Sequence, residues 1–127
     1  MVRRPTQVLF PRRIRGFAPD DVTRMASDEV SETEVGLSSG SVEQIWRSVV
    51  NLYRVGLHPA LALCVRVRGK VVLDRTIGHT HGNGPKAPTD EPLTVATPDS
   101  LFNIFSASKA VTAMLTLQAW ELSLIHI

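Results

Sequence analysis

A serine and a lysine three residues apart open the apolar stretch Leu101-Phe-Asn-Ile-Phe-Ser-Ala-Ser-Lys-Ala-Val-Thr-Ala-Met-Leu115. Lys109 is its only full charge, and no carboxylate or second base occurs between Ser100 and Trp120. A lysine is rarely buried without a partner. Desolvation disfavours the ammonium form, so burial among these side chains would lower its pKa. Ser106 precedes it by three residues, which places both on one face of a helix. The pattern is a hydroxyl beside an amine neutral enough to act as its base. The plain alternative is an ordinary helix start, with a serine cap and a lysine whose stem snorkels to water. Two local features favour the chemical reading. Lys109 falls in the first turn, where the positive end of the helix dipole opposes a cation. Ala110 and Ala113 leave room beside it for a ligand or a third group.

The preceding elements must position this pair. Residues 1–40 show no sustained periodicity and read as a flexible segment, with Leu37-Ser-Ser-Gly-Ser41 as a linker ending in a cap. Ser41 and Gln44 have the spacing of a capping box. Val42, Ile45, Trp46, Val49 and Tyr53 then recur at helical spacing, and Gly56 suits the stop. After the His58-Pro59 break, Leu61 to Val67 alternates with period two, and Val71 to Ile77 does so less cleanly. Arg68-Gly69-Lys70 between them supplies a tight hairpin turn. A helix followed by an antiparallel hairpin predicts an α+β layer with the helix covering the sheet. Gly78 to Pro98 reads as a long surface connection, interrupted by a short strand at Leu93-Thr-Val-Ala96. Gly82-Asn-Gly84 is turn chemistry and not a phosphate cradle, since no strand-to-helix context surrounds it.

Composition bounds the function classes. The 127 residues form one domain or part of one, and roughly two thirds of the unfolded surface can be buried at this size. An apolar share of 43% and a charged share of 20% fit a soluble globular protein, and a net charge of +2 gives no case for nucleic acid. Arg3, Arg4, Arg12, Arg13 and Arg15 open the chain without a carboxylate. Asp20, Asp21, Asp28, Glu29, Glu32 and Glu34 follow against the single Arg24. Such blocks read as a solvated segment, and no aromatic interleaving supports a basic nucleic-acid or lipid arm. The early arginines precede no apolar signal region. The segment from Ala110 to Ile127 contains Gln118 and Glu121 and is short for a membrane span, so no stable insertion is expected. The single cysteine, Cys64, lies in a strand-like run and reads as a buried, inert thiol; the cytoplasm is the default location. His79-x-His81 is at most half a metal site without a Cys, Asp or Glu at matching spacing, so it reads as a solvated loop pair. No metal or cofactor is implied.

The order of these pieces carries more than the tetrad alone. It runs amphipathic helix, His-Pro, hairpin with Val-Val-Leu-Asp-Arg, Gly-His, long loop, Thr-Pro-Asp-Ser-Leu-Phe and Ser-Ala-Ser-Lys-Ala-Val-Thr-Ala. From about Ser41 to Trp120 this resembles the family of class C β-lactamases, DD-peptidases and β-lactamase-like carboxylesterases. The resemblance implies an α+β fold, with a helix on an antiparallel sheet and the start of a helical region carrying Ser-x-x-Lys. Ser106 matches the acylated nucleophile and Lys109 the lysine that helps deprotonate it. The Ser106 N–H, at a helix start, would be one of two oxyanion donors. The family's Tyr-x-Asn or Ser-x-Asn group and its Lys/His-Thr/Ser-Gly strand do not occur in these 127 residues. The closing Leu122-Ser-Leu-Ile-His-Ile127 resembles the translation of a transposase adapter used in sequencing libraries. The expected organisation is therefore a flexible segment at 1–40, the N-terminal part of a serine hydrolase domain at 41–121 and adapter read-through at 122–127, where His126 has no role. The expected function is ester hydrolysis through an acyl-enzyme, favoured over exported cell-wall chemistry by the missing signal region. The alternatives are a β-lactamase or DD-peptidase-like acyl-serine protein, and a truncated product without catalysis. The expected partner is a small-molecule ester or lactam.

Overall fold

The computed structural model describes residues 13–125. Its elements are a short helix α1 (Pro19–Val22), strand β1 (Thr23–Met25), a 3-10 turn (Glu32–Val35), helix α2 (Ser41–Arg54), strands β2 (Ala60–Val67), β3 (Lys70–His81) and β4 (Thr94–Val95), a second 3-10 turn (Phe105–Ala107) and helix α3 (Ser108–Glu121). All strand pairings are antiparallel. β3 is the central strand, flanked by β1 and β2, and its far end also pairs with β4. The architecture is α+β, as the helix-then-hairpin pattern predicts.

The β2–β3 hairpin closes through Arg68 at φ 51° and Gly69 at φ 81°, with Val67 opposite Lys70. Positive φ at both turn residues matches the right-handed twist of the strands, as in a type I′ turn. Along β2, half-buried Leu61, Leu63, Val65 and Val67 alternate with exposed Ala62, Cys64 and Arg66. Cys64 is therefore exposed and free, not buried. The period-two pattern that identified the strand also assigns Cys64 to the face opposite the valines and leucines. Val65 pairs with Leu73 and Arg66 with Val71, so Val72 is the extra residue of a bulge, and both Val72 and Leu73 reach the core.

α2 lays Val42, Trp46 and Tyr53 on this surface, against Val72, Leu73 and Ile77. Its start differs from the expected capping box. Gly40, at φ 85°, precedes the helix, and Ser41 is its first residue with a hydroxyl bonded back to Ser38 O. The cap comes from the Glu32 carboxylate, which accepts from Gly40 N–H and, at 2.9 Å, from Val42 N–H. A capping box does occur, but at Ser31 and Glu34 on the first 3-10 turn.

The described part of the segment expected to be flexible is attached to the core. Ile14, Val22 and Val35 are buried there, and β1 pairs Thr23 to Met25 with Ile77 to Arg75. Ala26 N–H bonds Asp74 O at 2.9 Å, and Val30 N–H bonds Val71 O at 2.8 Å. Glu29 takes three bonds from the Arg75 guanidinium between 2.9 and 3.1 Å and one from Asp74 N–H at 2.8 Å. Arg75 also reaches Glu43 on α2 at 2.6 Å and lies 5.9 Å from the Trp46 ring. The acidic block is thus partly structural: Glu29 anchors the segment and Glu32 caps a helix. The basic residues Arg3, Arg4 and Arg12 lie outside the described residues, as does His126.

β3 runs four residues beyond its expected end. Gly78 to His81 belong to the strand, and the long connection begins only at Gly82. Gly78 makes this possible at φ 100°, where a Cβ would stand 2.2 Å from Pro59 O. Thr94–Val95, inside the short strand expected at 93–96, pairs with that extension. The intervening loop is tied to the N-terminal segment. Arg15 N–H and C=O exchange bonds with the Asn83 side-chain amide at 3.0 and 3.1 Å, and the Arg15 guanidinium binds Thr89 O at 2.8 Å and Gly82 O.

Candidate active site

β4 delivers the chain to the Ser106 region. Ala96 N–H bonds Gly78 O at 2.9 Å, and the buried Thr76 hydroxyl donates to Ala96 O at 2.9 Å. A turn follows in which Thr97 N–H donates to Ser100 Oγ and Ser100 N–H donates to Thr97 O, each at 2.9 Å. Leu101, Phe102 and Asn103 then face Pro59, Ala60 and His79 across a cleft of about 190 Å³. These contacts lead the chain from the central strand to the turn that carries Ser106.

Ser106 lies in the 3-10 turn Phe105–Ala107, which runs directly into α3. Lys109 is the second residue of α3, and its Nζ is 2.9 Å from Ser106 Oγ. The three-residue spacing read from the sequence thus becomes a hydrogen bond between the two groups. The Ser106 amide sits at the beginning of the helical run, where N–H groups lack intrahelical acceptors and can face a developing negative charge.

The burial expected around Lys109 is not found. Ser106 and Lys109 are both exposed, and every residue of α3 is exposed except the half-buried Ala119. Among the described elements, the principal packing partner of α3 is the 3-10 turn that opens it. The apolar sequence was a sound guide to what α3 prefers, but desolvation needs neighbouring atoms, and the described residues do not place them there.

The histidines differ from the solvated loop pair that was expected. Both belong to β3, and His79 is only 3% exposed. Its ring packs on Phe17, with centroids 4.5 Å apart, and its Nδ1 has no partner. Burial, then the charge of Arg15, lowers its pKa below the usual imidazole value. His81 is exposed and has its Nε2 2.9 Å from a Glu91 oxygen. Adjacent strand positions alternate faces, so i and i+2 share one; the irregular pairing between His79 and His81 disturbs that simple relation.

Asn103 and Ser108 did not stand out in the sequence. Asn103 Oδ1 accepts from Phe105 N–H at 3.0 Å, and Ser108 Oγ donates to Phe105 O at 2.7 Å. An asparagine two residues before a turn residue is an Asx-turn signal.

The Beta-lactamase family model matches residues 49–126, which is more than half of the chain and includes both Ser106 and Lys109. The chain belongs to that family. Membership supports acyl transfer through a serine as the kind of chemistry. Neither curated proteins nor solved structures gave a match. Among the described residues, no helix is long and apolar enough to cross a membrane.

Proposed function

We propose that Ser106 is the acylated nucleophile of an esterase-like serine hydrolase and that Lys109 is its base. The carrying observation is the 2.9 Å approach of Lys109 Nζ to Ser106 Oγ at the start of α3. In the proposed step, Oγ bonds to the ester carbonyl carbon while its proton passes to the Lys109 amine. The protonated amine then delivers that proton to the departing alkoxide as the carbon–oxygen bond breaks. Water cleaves the acyl-enzyme and restores the serine. Small uncharged esters suit surroundings in which the apolar Ile104 is exposed close to the pair. The exposed free thiol of Cys64 fits a reducing cytoplasm, where such thiols persist.

The same family match also favours a second reading, in which Ser106 is acylated by a lactam. We further propose that residues 41–121 are part of a serine hydrolase domain whose remaining catalytic groups these residues do not supply. The support is the lack of the Tyr-x-Asn and Lys/His-Thr/Ser-Gly groups in these 127 residues. The genomic frame beyond Glu121 should encode both groups.

The test uses the full-length protein read from that frame. Short-chain p-nitrophenyl esters should be hydrolysed, with activity abolished in Ser106→Ala and reduced about 10²- to 10⁴-fold in Lys109→Ala, the usual range for losing a general base. Turnover of a chromogenic cephalosporin without ester hydrolysis would replace the esterase reading with the lactam one. Stable labelling by a fluorescent penicillin without turnover would instead identify a penicillin-binding protein.

A further inference from the structure

Phe105, immediately before Ser106, has a φ of 45°, in the left-handed region that a bulky residue seldom occupies. Positive φ at Arg68 follows from its hairpin turn, but Phe105 belongs to no hairpin. Packing does not impose the conformation either, since Phe105 is 78% exposed. Side-chain hydrogen bonds hold both polar groups of its backbone. Asn103 Oδ1 accepts from its N–H at 3.0 Å, and Ser108 Oγ donates to its C=O at 2.7 Å, adding to the bond from the Ser108 backbone N–H. The second bond joins Phe105 directly to the first residue of α3.

We propose that Asn103 and Ser108 are positioning residues that hold Phe105 left-handed and thereby keep Ser106 Oγ against Lys109 Nζ. Neither residue touches the reacting atoms in this role. Lys109 is carried by α3, whereas Ser106 is carried by the 3-10 turn that Phe105 begins. If Phe105 relaxes to an extended backbone, that turn opens and Ser106 leaves its place while Lys109 stays on α3. The pair then loses the 2.9 Å approach that proton transfer requires. This inference rests on Ser106 being the acylated residue.

The experiment follows Ser106 labelling by a fluorophosphonate probe in the full-length protein, with intact mass and peptide mapping. Asn103→Ala and Ser108→Ala should each slow labelling about tenfold, the scale set by the cost of an unsupported left-handed residue. Asn103→Asp keeps the acceptor and should label within about twofold of the parent. Phe105→Gly added to Asn103→Ala should recover most of the lost rate, because glycine adopts positive φ without the steric cost. A general loss of folding would not be rescued in this way. Parent-like labelling in both alanine variants overturns the inference, as does failure of glycine to restore the rate. Labelling that persists in Ser106→Ala at another residue overturns the nucleophile assignment and is distinguished by the peptide map.

Discussion

The imidazole of His79 is buried in β3 against Phe17, with its Nδ1 unpartnered, and its pKa is lowered first by burial and then by Arg15. Arg15 lies close because its guanidinium clamps the loop that begins at Gly82, directly after the strand. A group whose folded pKa lies below its unfolded value binds protons more readily in the unfolded chain. The neutral imidazole imposes no such penalty well above its unfolded pKa of about 6.5. Stability attributable to this group then falls as pH drops through that value, and the loss is complete below the lowered folded pKa. Urea titrations should show stability decreasing from pH 7.5 to 5.5, with a shallower decrease in His79→Gln. The parallel variant His81→Gln controls for the exposed His81–Glu91 pair. Identical slopes in the parent and His79→Gln would refute this account. The Ser106–Lys109 spacing is legible in sequence alone, since three residues is a local helical distance and translates directly into a contact. The burial of His79 and the exposure of Cys64 depend on partners more distant in sequence or on the orientation of a strand face.

α2 and the β2–β3 hairpin were legible because each declares itself locally, through helical spacing in one and alternation around Arg68-Gly69 in the other. The N-terminal segment does not. Its order comes from β1 pairing with β3 and from Glu29 reaching Arg75, bonds with no short-range periodic signature. Arg75 is central to that element-scale linkage, since it joins the segment to β3 through Glu29 and to α2 through Glu43. Its pKa is raised, chiefly by the Glu29 hydrogen bonds, so the cation is well held. The two side chains of the Glu29–Arg75 pair are 10% and 11% exposed, so deleting one leaves a largely desolvated partner. Glu29→Ala should destabilise the folded chain by about 2–4 kcal/mol, near the range for breaking a buried ion pair, moderated by the remaining Glu43 contact. It should also speed amide exchange at Ala26 and Val30, whose N–H groups bond β3. The readouts are urea unfolding and native-state hydrogen exchange. A stability change below about 0.5 kcal/mol, with exchange at both amides unaltered, would reduce this pair to the level of a surface salt bridge.

At the scale of the molecule, α3 is the element least satisfied by its surroundings. Its apolar side chains point all round the helix, a pattern that belongs to a covered helix, yet Met114, Leu115 and Leu117 are each more than 60% exposed. The approach to it is similarly uncovered, with Leu101 97% exposed. By contrast, the sheet half has an enclosed core in which Leu73 and Ile77 have no exposed surface. The sequence conveyed the hydrophobic character of α3 but not the layer that would cover it. A contiguous apolar surface of this kind promotes association or binding to hydrophobic probes. The isolated 127-residue chain is therefore expected to bind a hydrophobic fluorescent dye and to self-associate as its concentration rises, while showing no Ser106-dependent ester turnover. Replacing Met114 and Leu117 together by lysine should suppress both dye binding and association without disturbing the sheet core, because neither residue belongs to that core. Dye titration and sedimentation velocity across a concentration series measure the first two effects, and hydrogen exchange at the Ala26 and Val30 amides, which bond β3, monitors the sheet. A monodisperse parent chain that binds no dye would show that α3 is covered in solution, and turnover lost on Ser106→Ala would show that these residues suffice for catalysis.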